Sequence, residues 1–312
     1  MLGQDAVQQT VEVPQAVVAA PARSLRAIAS DYLALTKPRI VGLLLITTIP
    51  AMIMAHGGWP SVWLVVLTLA GGTLSAAGAN AINCYVDRDI DGMMARTRNR
   101  PLPDGRIEPQ LALIFGIALG VAGFVVLAAT VNFASALLAT GALVFYVFVY
   151  TIWLKRTTTQ NIVIGGAAGA MPPVIGWAAV TGGLDWPVVV LFGIVFLWTP
   201  PHFWAIALRY QTDYERASVP MLPVVSGAAE TGRQMLLYSF ALVATSLLLW
   251  PVAGTGWLYP VVALVLGAGF ISFAFRVWRV PNERTSMALF LYSLPYLAIL
   301  FVAAGVDQLI RS

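Results

Sequence analysis

Residues 61–91 read SVWLVVLTLAGGTLSAAGANAINCYVDRDID. From Ser61 to Val86 there is no Asp, Glu, Lys or Arg, and three acids then follow at Asp87, Asp89 and Asp91. An apolar helix of about 20 residues spans roughly 30 Å of hydrocarbon, so the stretch reads as a membrane helix with carboxylates at its mouth. Asn83, Asp87 and Asp91 are spaced i, i+4, i+8 and share one helix face, whereas Asp89 lies about 200° from Asp87. Like charges at i, i+4 weaken a helix by roughly 0.2–0.5 kcal/mol, and a divalent cation removes that repulsion. Oxygen-only ligands suit Mg²⁺, which takes one or two carboxylates together with substrate phosphates. The ladder therefore predicts a diphosphate held through Mg²⁺ at a membrane surface, with Asn83, Asp87 and Asp91 as the metal-binding and catalytic residues.

The rest of the chain agrees with a membrane setting. Of 312 residues, 59% are apolar and only 10% charged, against about 25% charged in soluble domains. Nine apolar segments are expected as spans, at about 40–56, 61–82, 109–129, 132–152, 162–182, 186–208, 233–253, 257–275 and 287–306. They predict an all-α integral membrane protein with nine helices around a central cavity. Long polar connections at about 83–108 and 209–232 follow the second and sixth segments, which suggests two four-helix halves plus a final helix. The short Gly-rich turns His56-Gly57-Gly58, Thr181-Gly182-Gly183 and Gly254-Thr255-Gly256 lie at the opposite ends. Residues 1–35, Ala- and Val-rich with Pro14 and Pro21, read as a disordered tail, and 36–312 as a single domain.

Charge gives the orientation. Of the 18 Lys and Arg, only Arg311 falls outside the N-terminal segment and the connections after the even-numbered helices. The positive-inside rule places the N-terminus and those connections in the cytoplasm, at a plasma (inner) membrane. The net charge of +4 is that of such a face and calls for no nucleic acid. The lone cysteine, Cys84, excludes an internal disulfide and reads as a packing residue.

Basic groups surround the ladder in sequence. Arg96 and Arg100 follow it in Arg96-Thr97-Arg98-Asn99-Arg100-Pro101, and Lys155 and Arg156 close the fourth segment. Arginine grips phosphate oxygens bidentately, so these four are expected to bind substrate. The second long connection begins Thr199-Pro200-Pro201-His202-Phe203-Trp204 and continues through Arg209, Tyr210 and Asp213 to Val219-Pro220-Met221-Leu222-Pro223. The two prolines are expected to break the sixth helix. His202, Arg209 and Tyr210 are expected to contact substrate, and Asp213 to form the opposite catalytic wall. His56, at the other end of the first segment, reads as an interfacial polar residue.

Together these residues resemble the intramembrane polyprenyltransferase superfamily, whose mark is Asn-x-x-x-Asp-x-x-x-Asp after the second helix, and within it the branch that acts on heme. The likeness runs from about Lys37 to Arg279; the Pro-Pro-His-Phe-Trp and Val-Pro-Met-Leu-Pro segments carry the heme-branch part of it. The resemblance implies farnesyl diphosphate as donor, heme b as acceptor (a substrate rather than a resident cofactor), Mg²⁺, and a downstream enzyme of heme A synthesis as partner. The second carboxylate motif departs from the superfamily pattern: Ala217 stands four residues after Asp213. Asp213 and Glu215 are the carboxylates there, so the first ladder is expected to carry most of the metal binding.

Two other readings stay open at this stage. An aromatic or quinone-precursor acceptor would use the same ladder, and acceptor choice rests on the His202 region. A proton-coupled transporter would hold ionisable residues near the bilayer midplane, whereas the acids of this chain lie at the cytoplasmic ends and these nine segments hold no Asp or Glu.

Overall fold

The computed structural model describes residues 24–312, and all regular structure among them is helical. Helix α1 is Leu25–Leu35, α2 Pro38–His56, α3 Val62–Val86, α4 Arg88–Met93 and α5 Pro109–Thr130. Helix α6 is Phe133–Thr157 and α7 Asn161–Thr181. Helix α8 is Trp186–Arg209, α9 Gln211–Arg216, α10 Leu222–Ala253, α11 Leu258–Arg279 and α12 Glu283–Arg311. Eight of these are long and apolar enough to cross a membrane. The segment expected at 40–56 falls on α2, which is 19 residues long. Among the described residues, eight helices thus meet that measure where nine spans were expected.

The helix ends follow their sequence signals. Pro opens α2, α5, α8 and α10, where its missing N–H costs nothing. Gly57, Gly182 and Gly254 end α2, α7 and α10 with φ of 76°, 72° and 60°. That left-handed geometry strains any residue with a Cβ, which accounts for the Gly-rich turns.

Three expectations are corrected. The tail does not reach residue 35, because Ser24 caps α1 by accepting from Ala27 N at 3.3 Å. Asp31 and Leu35, one turn apart, are buried, and Arg106 pairs with Asp31. Tyr32 meets Phe115 edge-on at 5.0 Å. An Ala-rich composition hid this short amphipathic face; residues 1–23 of the expected tail lie outside the described residues. Second, Pro200-Pro201 does not break α8, which runs on to Arg209; two missing donors in a well-packed helix are tolerated. Third, α10 starts at Leu222 rather than 233 and turns through a non-helical Gly227 with φ 76° and ψ 172°.

Helices α3 and α5 meet backbone to backbone. A Cβ on Gly78 would lie 2.6 Å from Gly116 O and 2.7 Å from Gly120 N, and one on Gly123 would lie 2.7 Å from Ser75 N. Without a hydrophobic drive between helices in lipid, this close approach is how small residues hold helices together. The final helix α12 packs on α2, α8 and α11, so the bundle closes on itself.

Within α6, Phe145–Leu154 is a π-helix of 10 residues. A π-turn inserts a residue into the helical repeat and rotates everything after it, and such insertions gather at functional sites.

Candidate active site

The ladder survives the end of its helix. Helix α3 stops at Val86, and Asp87 bridges to α4 with φ −84° and ψ 3°. Asp87 N still donates to Asn83 O at 2.9 Å, and Asp91 N to Asp87 O at 2.8 Å. The i, i+4 spacing therefore carries through, and Asn83 Nδ2 donates to Asp87 Oδ2 at 2.7 Å. Asn83, Asp87 and Asp91 are 3%, 1% and 3% exposed, so the two carboxylates need counter-charge rather than water.

The π-helical end of α6 supplies part of that charge. Lys155 Nζ pairs with Asp87 Oδ2. One turn back, Thr151 Oγ1 accepts from Asn83 Nδ2 at 3.1 Å. Thr151 and Lys155 thus match Asn83 and Asp87 rung for rung. Arg156 grips Asp89 through two hydrogen bonds of 2.7 Å and stands 3.7 Å from Asp87 Oδ1. That grip holds the Asp89 carboxyl down at about 2. The Asp89 contribution to stability is present above the ordinary value near 3.8 and is lost only as pH falls toward about 2. Asp89 is 57% exposed and faces away from the ladder, and exposed pairs contribute about 0–1 kcal/mol. Asp89→Asn is accordingly expected to leave turnover within about fivefold of wild type, with an unchanged pH profile in a product assay.

From the other side, Lys37 Nζ donates to Asn83 Oδ1 at 2.7 Å. Lys37 joins α1 to α2 in a left-handed conformation, φ 51° and ψ 58°, rare for a residue with a Cβ. Arg100 Nη1 donates to Asp91 Oδ2 at 2.7 Å, and Thr97 Oγ1 to Asp91 O at 2.7 Å, folding the basic run back over α4. Burial, the largest influence, works against the Arg100 charge, but its neighbours, Asp91 foremost among them, together hold the guanidinium above its ordinary range.

The two long connections meet. Ala95 N donates to Asp213 Oδ1 at 3.4 Å. Arg96 leaves the carboxylates for the second connection: Nη2 donates to Tyr214 Oη at 2.8 Å, and the guanidinium lies over the Tyr214 and Tyr210 rings at 5.0 and 5.4 Å. Asp213 is buried against the first connection. Arg209 sits apart, paired with Glu283 at 3.2 Å.

His202 is not brought to the ladder. It is buried between α8 and α12, stacked on Trp198 at 4.2 Å and Phe290 at 4.6 Å, with Nδ1 at 2.6 Å from Ser293 Oγ. The helix that Pro200-Pro201 was expected to break keeps it packed. Lys37 and Thr151 are the residues that sequence reasoning missed. Thr151-x-x-x-Lys155 repeats the spacing of Asn83-x-x-x-Asp87, a signal visible in retrospect. Cys84 is buried, its Sγ 3.9 Å from Leu35 O.

The donor set fits a small, hard cation. Asp87 Oδ1 is buried with no hydrogen-bond partner, and Asn83 Oδ1 faces the Lys37 ammonium, so both oxygens suit a positive charge. Among the described residues no three His, Cys, Asp or Glu converge. Mg²⁺ does not need three, because substrate phosphates complete its shell.

Known proteins resemble the chain throughout its length. A protoheme IX farnesyltransferase of Gloeobacter violaceus is 56% identical over 286 residues, covering 91% of this chain and 94% of its own. Among solved structures, a digeranylgeranylglyceryl phosphate synthase matches with a TM-score of 0.74 at 19% identity, over 90% of this chain and 99% of its own. A UbiA homologue from Archaeoglobus fulgidus, described as bound to DMAPP and Mg²⁺, matches with a TM-score of 0.66 at 20% identity, over 90% and 100%. The model of the UbiA prenyltransferase family covers residues 44–302. With that match across most of a helical membrane fold of the same shape, the chain belongs to the UbiA prenyltransferase family.

Proposed function

We propose that this protein transfers the farnesyl group of farnesyl diphosphate to a vinyl group of heme b, releasing diphosphate and giving heme O for heme A and terminal-oxidase cofactor synthesis. The observation that carries the diphosphate half is the buried ladder with its ring of cations: Asn83, Asp87 and Asp91 against Lys37, Arg100, Lys155 and Arg156. The heme half rests on the 56% identical relative, a protoheme IX farnesyltransferase.

Mg²⁺, supported by the Archaeoglobus homologue, would be held by Asn83, Asp87 and Asp91, and when bound it offsets the charge that builds on the diphosphate as the allylic C–O bond breaks. Lys155, Arg156 and Arg100 turn from their carboxylates to the phosphate oxygens and share that charge. The apolar helices around the site keep water from the allylic carbon until the vinyl carbon has attacked it. Water then captures the cation left on the porphyrin side chain and loses a proton, giving the hydroxyethylfarnesyl group. Arg96 and Asp213 hold the two connections together over the site. His202 shapes the acceptor side from within the core.

The direct test is mass analysis of products after incubation with heme b, farnesyl diphosphate and Mg²⁺; a prenylated quinone precursor in place of heme O overturns the acceptor. Arg100→Met removes one charge-assisted hydrogen bond, worth about 1.5–3 kcal/mol. It is expected to raise KM for farnesyl diphosphate by about 10–100-fold while KM for heme stays constant.

The site face is assigned to the cytoplasmic side of the inner membrane by the positive-inside rule. In a Cys84→Ala background, Asp104→Cys is expected to react with impermeant thiol reagents only from the cytoplasm, and Gly183→Cys only from outside. The reverse pattern inverts the topology.

A further inference from the structure

We infer that Thr151 is a positioning residue for the metal site: it fixes the Asn83 carboxamide so that Oδ1 faces the cation. The inference rests on the reading of the ladder as a Mg²⁺–diphosphate site. Thr151 is fully buried. Its hydroxyl donates to Tyr146 O at 2.8 Å, five residues back, the reach of a π-turn. A hydroxyl has one proton. With that proton committed to Tyr146, Thr151 Oγ1 meets Asn83 as an acceptor. Asn83 Nδ2 then spends both its protons, one on Thr151 at 3.1 Å and one on Asp87 Oδ2 at 2.7 Å. The amide oxygen is left pointing at Lys37 Nζ, 2.7 Å away. Inverting the amide would set its NH₂ against an ammonium and its oxygen against a carboxylate.

Thr151 differs from the other two partners of Asn83. Lys37 and Asp87 are charged and re-pair when a cation and a diphosphate arrive. Thr151 is neutral, tied to its own backbone, and competes for neither. It therefore keeps the Asn83 oxygen in place through the exchange of charges. The π-helix explains why Thr151 is available: the inserted residue brings Thr151 and Lys155 to the face of α6 that meets Asn83 and Asp87. Partners that orient a metal ligand in this way typically change metal affinity by about 10–100-fold when removed.

The test uses purified full-length protein in detergent and reads two quantities. One is the half-saturating Mg²⁺ concentration for thermal stabilisation by inorganic pyrophosphate. The other is kcat at saturating Mg²⁺. Thr151→Val, which keeps shape and loses the hydroxyl, is expected to raise half-saturating Mg²⁺ by about 10–100-fold with a much smaller fall in kcat. Thr151→Ser, which keeps the hydroxyl, is expected to match wild type. Should Thr151→Val not fold, Thr151→Ala against Thr151→Ser decides the same point. Unchanged Mg²⁺ dependence in a folded hydroxyl-free variant overturns the inference alone, as does a Thr151→Ser variant no better than Thr151→Val. Wild-type protein showing no Mg²⁺-dependent stabilisation by pyrophosphate overturns the ladder reading and this inference with it.

Discussion

Turnover of the Asp87→Ala variant is expected to fall by about 10²–10³-fold, the scale of losing a group that stabilises transition-state charge. The same change also destabilises the protein, for a separate reason. Asp87 is 1% exposed and Lys155 15%, and removing one partner of a buried pair strands the other charge at a cost of about 3 kcal/mol or more. The two effects separate in a double variant. Asp87→Ala with Lys155→Met is expected to regain most of the lost melting temperature and none of the activity. Heme farnesylation and thermal unfolding in detergent read the two effects independently. Near-normal turnover by Asp87→Ala removes the ladder from the mechanism, and a double variant no more stable than the single one removes the ion pair from the stability argument.

The second large effect lies away from the chemistry. Gly78→Leu is expected to lose most folded, monodisperse protein. Its Cβ would sit 2.6 Å from Gly116 O and 2.7 Å from Gly120 N, and backbone on both sides cannot swing away as a side chain would. Overpacking typically costs about 1–3 kcal/mol, and this site belongs at the upper end. Gly72→Leu is the control: nothing lies within 4 Å of a Cβ there, and it is expected to leave yield and melting unchanged. Equal behaviour of the two variants would mean that α3 and α5 do not meet along this seam.

What the sequence revealed, and what it hid, follows from the range over which each signal acts. The long spans are legible because a run such as Ser61–Val86 excludes charge residue by residue. The ladder is legible because i, i+4 spacing is local and survives the junction at Asp87. The π-helix is not, since FYVFVYTIWL carries no Gly or Pro to mark an inserted residue. Lys37 is 46 residues from Asn83, and nothing local announces that pairing. Arg96 looked like a phosphate ligand beside the acids, yet Tyr214, which accepts its hydrogen bond, arrives from 118 residues away. The helix through Pro200-Pro201 shows packing overriding local propensity: Trp198 and Phe290 enclose His202 where the prolines alone predicted an open break.

The way the two connections meet bears on the rhythm of the catalytic cycle. The ladder ends of α3 and α6 stay joined at Asn83–Thr151 when Lys155 turns to the phosphate, and α3 packs on α5 glycine against glycine, so parting of these helices is not the expected route of release. The connections touch through two hydrogen bonds to charged groups, Ala95 N with Asp213 and Arg96 with Tyr214, each worth no more than about 1.5–3 kcal/mol. On the proposed function, departure of diphosphate is then expected to follow parting of the two connections, on the microsecond-to-millisecond scale of loop motion. Loosening the Arg96 contacts is expected to speed exit, and tightening them to make exit the slow step.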